Sequence, residues 1–270
     1  MKRIDSTGRD TEKRNTINGE KTMQESSRKC LYVVGIGPGG REQMTIQADR
    51  ILRECQVIVG YTVYTDLVKE DYPHASYLTT PMRQEKERCR MALQAADSGK
   101  KTAMICSGDS GVYGMAGLIF QMAAEFPEVE ISVIPGVTAA IGGGAVLGAP
   151  LGHDFAVISL SDLLTPLEVI EKRLRAAGEG DFIISLYNPS SRKRSDYLEW
   201  ACRILMEYKP EETVCGLVRN IGREGQSMQV LSLAELCRTK VDMFTTVFIG
   251  NRTTREEKGR MITPRGYKNV

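Results

Sequence analysis

The sequence predicts an α/β protein made of two α/β domains that face one another across a cleft. Three observations predict it. Short apolar runs alternate with stretches of helical periodicity, glycine-rich loops directly follow several of those runs, and the break Gly148-Ala-Pro-Leu-Gly152 is followed by the same rhythm again.

Residues 1–28 carry seven basic and five acidic side chains with few aliphatic ones, so no face there can be buried and a disordered polar tail is expected. Cys30-Leu-Tyr-Val-Val-Gly begins the folded part as a strand that runs into a glycine turn. Thr45 to Arg53 reads as a helix, with Ile46, Ala48, Ile51 and Leu52 on its apolar face. Gln56 to Gly60 is a second strand, 83–97 an amphipathic helix, Thr102 to Cys106 a third strand and Val129 to Ile134 a fourth. This order suits a parallel sheet covered on both faces. The expected domains are 29–150 and 151–270. In the second, Phe155 to Ser159, Phe182 to Leu186, Thr213 to Val218 and Thr245 to Ile249 are strands; Pro166 to Ala177 and Asp196 to Glu207 are helices, the first with proline in its opening turn. Ligands of such open sheets lie beyond the carboxyl ends of the strands.

The 270 residues are 41% hydrophobic and 26% charged, a globular composition, and Lys plus Arg number 36 against 34 for Asp plus Glu. Nothing in that balance asks for a nucleic-acid partner. The seven cysteines form no C-x-x-C pair, and the two histidines, His74 and His153, are far apart, so reduced thiols, a cytoplasmic location and no metal centre are expected. No apolar run approaches the roughly 18 residues of a membrane span, and membrane insertion and secretion are not expected.

Gly35, Gly37 and Gly40 fit the dinucleotide pattern G-x-G-x-x-G, but two features argue against it. Pro38 removes an amide from the loop, and the second strand ends in Val59-Gly60-Tyr61 where a ribose-binding acid is needed. The glycines then serve a tight turn or a contact with another cofactor or substrate. Ser107-Gly-Asp-Ser-Gly-Val-Tyr-Gly114 follows the third strand, with a backbone suited to close approach of a ligand. Asp109 either accepts from backbone amides and sets this loop, which we place first, or faces the ligand. Pro135-Gly-Val-Thr-Ala-Ala140 is the matching loop after the fourth strand, with Thr138 placed to cap a helix.

Gly35-Ile-Gly-Pro-Gly39, Gly108-Asp-Ser-Gly-Val-Tyr-Gly114 and Pro135-Gly-Val-Thr-Ala139, in that order and spacing, resemble the tetrapyrrole methylase family of S-adenosylmethionine-dependent enzymes. Gly152-His-Asp-Phe-Ala-Val-Ile-Ser159 and the residues up to Pro166, Tyr187-Asn-Pro-Ser-Ser191, Val218-Arg-Asn-Ile-Gly-Arg-Glu-Gly225, Ile249-Gly-Asn-Arg-Thr-Thr254 and Met261-Ile-Thr-Pro-Arg-Gly-Tyr267 narrow the likeness. They resemble the branch that methylates C17 of a precorrin or cobalt-precorrin macrocycle in cobalamin biosynthesis and contracts its ring. Leu167 stands where the family often has Trp, and Arg252 where Ser is frequent. The likeness covers about residues 30–267.

The resemblance implies two α/β domains with the active site in the cleft between them, a homodimer, and S-adenosylmethionine held mostly by backbone. Pro38, Ser107, Gly108, Asp109, Val112, Tyr113, Thr138 and Ala139 would contact it from the first domain; Tyr187, Asn188, Leu217, Thr245 and Thr246 would enclose its adenosine from the second. The family's acceptor carries many carboxylates, which calls for a basic cleft. Residues 251–268 hold six basic and two acidic side chains, Arg192 to Arg194 form a second basic run, and Arg219 with Arg223 a third. Arg219, Arg252 and Arg192 are the expected substrate contacts, because arginine pairs bidentately with carboxylates. Ring contraction needs a proton carrier, for which Asp109, His153, Asn220 and Arg219 are the candidates. A member of the same fold that methylates another precorrin position or acts on RNA, a nicotinamide oxidoreductase and a non-catalytic scaffold are the rival readings.

Overall fold

A computed structural model describes residues 29–191 and 195–267. The tail 1–28, the Arg192–Arg194 run and Lys268 lie outside the described residues.

The first sheet is built from β1 (Cys30–Gly35), β2 (Val57–Tyr61), β3 (Ser76–Thr80), β4 (Thr102–Cys106) and β5 (Glu130–Ile134). Its order is β3-β2-β4-β1-β5 and every pairing is parallel. The central strands are apolar on both faces because helices cover both. On one side, α1 (Ile46–Glu54) and the turn after α2 (Thr62–Asp66) pack Ala48, Leu52 and Val68 against Val34, Ile58 and Ile105. On the other, α3 (Glu85–Asp97) and α4 (Ala116–Met122) pack Cys89, Leu93, Ala96 and Ile119 against Leu31, Val33, Val59 and Met104. Thr45 starts α1 by accepting the Ala48 amide on its hydroxyl.

α5 (Ala139–Leu147) follows β5, and a short β6 (Gly148–Ala149) leads out of it. α5 belongs to the first half by sequence but packs on the second sheet, with Leu147 against Val218, Phe248 and Met261. Being covered on that side, it is apolar and glycine-rich, and a Cβ on Gly143 would stand 2.9 Å from the Phe248 ring.

The second sheet comprises β7 (Phe155–Ser159), β8 (Ile183–Tyr187), β9 (Val214–Arg219), β10 (Ser227–Ser232) and β11 (Thr245–Ile249), in the order β10-β9-β11-β8-β7. The helices α6 (Leu167–Glu179), α7 (Tyr197–Leu205) and α8 (Leu233–Arg238) cover its other face around Ile170, Leu174, Ala201, Leu205 and Val247. Only β7 and β8 pair in parallel; β11 runs antiparallel to both β8 and β9, and β10 antiparallel to β9. The second half therefore does not repeat the parallel rhythm of the first. β12 (Arg255–Glu257) and β13 (Arg260–Ile262) form a hairpin, and β13 pairs with β6. β3 and β10, which the sequence pattern does not reveal, are edge strands with exposed positions and hence no continuous apolar run.

Candidate active site

Three loops meet at the carboxyl edge of the first sheet, after β1, β4 and β5, and they are knitted backbone to backbone. Gly37 and Gly108 exchange both amide hydrogen bonds, at 3.0 and 2.8 Å. A Cβ on Gly136 would stand 2.1 Å from the Gly108 carbonyl oxygen, and one on Gly35 would stand 2.7 Å from it. These glycines are thus fixed by the approach of loop to loop. Gly40, by contrast, has open space around its Cβ position.

Asp109 locks this arrangement. Its Oδ1 accepts from the amides of Gly111 (2.8 Å) and Val112 (3.1 Å), and its Oδ2 accepts from that of Gly136 (2.9 Å). Both oxygens therefore serve the loops, the first of the two roles its sequence context allows. Ser107 Oγ accepts from Arg223 Nη2 at 2.8 Å, and the Pro38 carbonyl accepts from Arg223 Nε at 2.9 Å. Pro38 itself is buried, and a Cβ on Gly142 of α5 would stand 2.9 Å from its ring.

The second sheet presents its own edge to these loops. β7, β8 and β9 run the same way, so Ser159, Tyr187 and Arg219 end on one edge, and antiparallel β11 begins there with Thr245 and Thr246. The Tyr187 hydroxyl lies 2.6 Å from Thr138 Oγ1 and accepts from the Ala140 amide at 2.6 Å. Burial raises its pKa above the ordinary tyrosine value. Tyr113, held at φ +53°, crosses in the opposite direction: its hydroxyl donates to the Val157 carbonyl (3.0 Å) and accepts from the Ser159 amide (3.1 Å). The two tyrosine rings lie 5.7 Å apart. Asn188, at φ +53°, donates from its side chain to Ser159 Oγ at 2.9 Å. The loops and the edge together bring Pro38, Ser107, Gly108, Asp109, Val112, Tyr113, Thr138, Ala139, Tyr187 and Asn188 around one cleft.

Other expected residues fall elsewhere. Leu217 turns its side chain to the α6–α8 face of the sheet, and so meets the cleft only through backbone. Arg219 stays on the cleft edge but donates to Asp242 Oδ2 at 2.7 Å; Asn220, at φ +51°, begins the tight connection from β9 to β10. Two placements need correction. Arg252 follows the carboxyl end of β11, but β11 is antiparallel, so that end lies on the far edge, where Arg252 pairs with Asp181 at 3.0 Å. His153 precedes β7 and is exposed at the same far edge, away from the loops. Arg192 lies outside the described residues. The sequence reading missed Arg223 as the bridge between halves and Ser159 as a partner of Asn188. Both lie in quoted motifs, but only the tertiary contacts separate them from their neighbours.

S-adenosylmethionine fits what these residues offer. Gly108, at φ +70°, has no side chain between the loops, and a Cβ there would stand at contact distance, 3.7 Å from Thr138 Cα and 3.8 Å from the Ala139 amide. Amides, hydroxyls and two tyrosine rings suit a nucleoside joined to an amino acid, as the donor is.

Two α/β halves that close glycine loops over a shared cleft define a class of methyltransferase, and the chain belongs to it: the pattern of the Tetrapyrrole (Corrin/Porphyrin) Methylases matches residues 30–237. These enzymes use S-adenosylmethionine as methyl donor. Among its relatives is a probable cobalt-factor III C(17)-methyltransferase of Salmonella typhimurium, 46% identical over 88% of this chain and 99% of that one. A precorrin-3B C(17)-methyltransferase of a Sinorhizobium species is 39% identical over 88% and 96%. The crystal structure of the methyltransferase CobJ superposes with a TM-score of 0.80, at 35% identity over 87% of this chain and 99% of that one.

Proposed function

We propose that the protein transfers a methyl group from S-adenosylmethionine to C17 of precorrin-3B, or of its cobalt-containing counterpart, with contraction of the ring, as a step of cobalamin biosynthesis. The observation that carries this reading is the close of one cleft by both halves, through Tyr187 on Thr138, Tyr113 on β7 and Arg223 on Pro38 and Ser107, in a chain similar to C17-methyltransferases over 88% of its length.

The bound donor supplies an electrophilic methyl group on a sulfonium. The chain's residues then have three tasks. Ser107, Gly108, Asp109, Val112 and Thr138 hold the donor through a backbone that Asp109 fixes in advance. Tyr187, Asn188, Thr245 and Thr246 enclose its nucleoside from the second half, with Tyr113 reaching across from the first. The cleft aligns acceptor carbon, methyl and sulfur, and alignment of this kind contributes up to roughly 7–11 kcal/mol to the lowering of a barrier. The macrocycle is an electron-rich carbon nucleophile, so no strong base is required for the transfer itself. Arg219 and Asn220 remain beside the cleft as candidates for polar contacts during contraction.

A cytoplasmic homodimer belongs to the same proposal. All seven cysteines are free thiols, in keeping with a reducing compartment. β7 is an edge strand that pairs only with β8 and bears the exposed Phe155, and the exposed Leu163 and Leu164 follow it, which supports a second copy there. No helix among the described residues is long and apolar enough to cross a membrane.

The test is incubation with S-adenosylmethionine and cobalt-factor III, followed by mass spectrometry and NMR of the product. The reading expects one added methyl group at C17 and a contracted ring. A methyl group at another position of an uncontracted ring would instead favour an enzyme for a different precorrin position.

A further inference from the structure

β2 ends in Tyr61 at the carboxyl edge of the first sheet, and Tyr64 lies one turn on in α2. Their rings meet edge to face, centroids 5.2 Å apart and planes at 87°. A guanidinium stands against each: Arg88 is 5.8 Å from the Tyr61 centroid and Arg223 5.9 Å from that of Tyr64. Arg88 rises from α3 and donates from Nε to Thr80 Oγ1 (2.8 Å) and from Nη2 to the Pro81 carbonyl (2.9 Å). Arg223 arrives from the β9–β10 connection of the other half, anchored on Pro38 and Ser107. The result is a row, Arg88–Tyr61–Tyr64–Arg223, along the strand ends that border the cleft.

Neither guanidinium pairs with a carboxylate among the described residues. Arg41 and Arg53 pair with Asp49, Arg175 with Glu171, Arg219 with Asp242 and Arg252 with Asp181. Four of those five are exposed and Arg175 is half-buried, whereas Arg88 is 5% exposed and burial holds Arg223 below the ordinary arginine pKa. Withdrawing a cation from water without a counter-charge is costly, and ring faces and neutral oxygens offset only part of it. Each guanidinium also keeps unused donors: Nη1 of Arg88 and of Arg223 makes no hydrogen bond to any described residue.

We infer that Arg88 and Arg223, held on the Tyr61–Tyr64 pair, are the specificity-determining anchors for two carboxylate side chains of the macrocycle. The inference rests on the proposed function and assigns its acceptor site to residues other than the acid-paired Arg219 and Arg252. An arriving carboxylate supplies the missing counter-charge and accepts the free Nη1 donors. The two anchors come from different halves, so a correctly spaced pair of carboxylates is read by both at once.

The test compares the wild type with Arg88→Met, Arg88→Lys, Arg223→Met and Arg223→Lys, using cobalt-factor III as the free acid and as its carboxyl-methyl ester. Absorbance titration gives macrocycle affinity, steady-state kinetics give KM, and calorimetry gives affinity for S-adenosylhomocysteine. In each Met variant macrocycle affinity falls roughly 10- to 100-fold, the loss of a charge-assisted hydrogen-bond pair, while the Lys variants fall between. In the Arg88 variants S-adenosylhomocysteine affinity stays within about threefold, well under the tenfold that 1.4 kcal/mol represents; the Arg223 variants also loosen Pro38 and Ser107 and are read by their free-acid preference instead. The wild type prefers free acid to ester, and the Met variants lose most of that preference. Unchanged macrocycle affinity, an undiminished preference for the free acid in either Met variant, or equal loss of both ligands in the Arg88 variants overturns the inference. A wild type that binds the free acid but transfers no methyl group overturns the functional reading instead, and the titrations still decide the anchors.

Discussion

The Tyr187 hydroxyl lies 2.6 Å from Thr138 Oγ1, so the last residue of β8 in one sheet is tied to the loop leaving β5 in the other. The same oxygen accepts the Ala140 amide, in the first turn of α5. One phenol thus fixes both the start of a helix and the width of the cleft.

Replacing it tests that coupling. Tyr187→Phe keeps the ring against Tyr113 and removes the hydroxyl, leaving the Ala140 amide short of a partner. We expect a loss of about 1–2 kcal/mol in denaturant unfolding and a several-fold weaker S-adenosylhomocysteine affinity by calorimetry. Unchanged affinity would show that the tie is not part of the donor site.

The glycines of the loops divide sharply. Gly136→Ala forces a methyl group to 2.1 Å from a backbone oxygen that has nowhere to go, and should cost at least ~3 kcal/mol or prevent folding. Gly40→Ala meets open space and should leave melting temperature and donor affinity unchanged. A damaging Gly40→Ala would return weight to a dinucleotide-type loop.

Asp109 supports backbone, so its amide analogue should fail through geometry. In Asp109→Asn, Oδ1 still accepts from Gly111 and Val112, but an NH2 group faces the Gly136 amide. Two opposed donors cost about 1–3 kcal/mol, seen as a lower melting temperature and weaker donor binding, with the pH–rate profile keeping its shape. Loss of turnover with an unchanged melting temperature would make Asp109 a proton carrier.

Asp49 sets part of the acid stability. Burial acts to raise its pKa, but hydrogen bonds from Arg53, Tyr72 and Arg41 prevail and hold it at about 2, below the ordinary 3.8. A carboxyl depressed in the folded state stabilises above its unfolded pKa, and that stability is lost as pH falls through the folded value. The stability gap between wild type and Asp49→Asn should therefore be full at neutral pH and close between about pH 4 and about pH 2. A gap constant across that range would contradict the assignment.

Much of this was legible in the sequence because it is local. Strand 102–106 and the loop after it, Asp109 among its glycines, and the burial of Ala48 and Leu52 need only neighbours a few residues away; Ile46, expected on the same apolar face, starts the helix and is exposed. Strand direction is different. Thr245 to Ile249 has the same pattern whichever way it runs, and that ambiguity moved Arg252 from the far edge to the cleft. Arg219 and Arg223 are equally basic in sequence; Asp242 neutralises one, and Tyr64, more than 150 residues away, receives the other. Arg88 looks like any solvated helix cation until Tyr61 and Thr80 are placed beside it.

The most direct measurement is a crystal structure with S-adenosylhomocysteine bound. The account predicts the ligand between the halves, touching the Gly108 backbone and Thr138 on one side and Tyr187 with the start of β11 on the other. A ligand lodged on the far edge near Asp181 and His153, or none at saturating concentration, would contradict it.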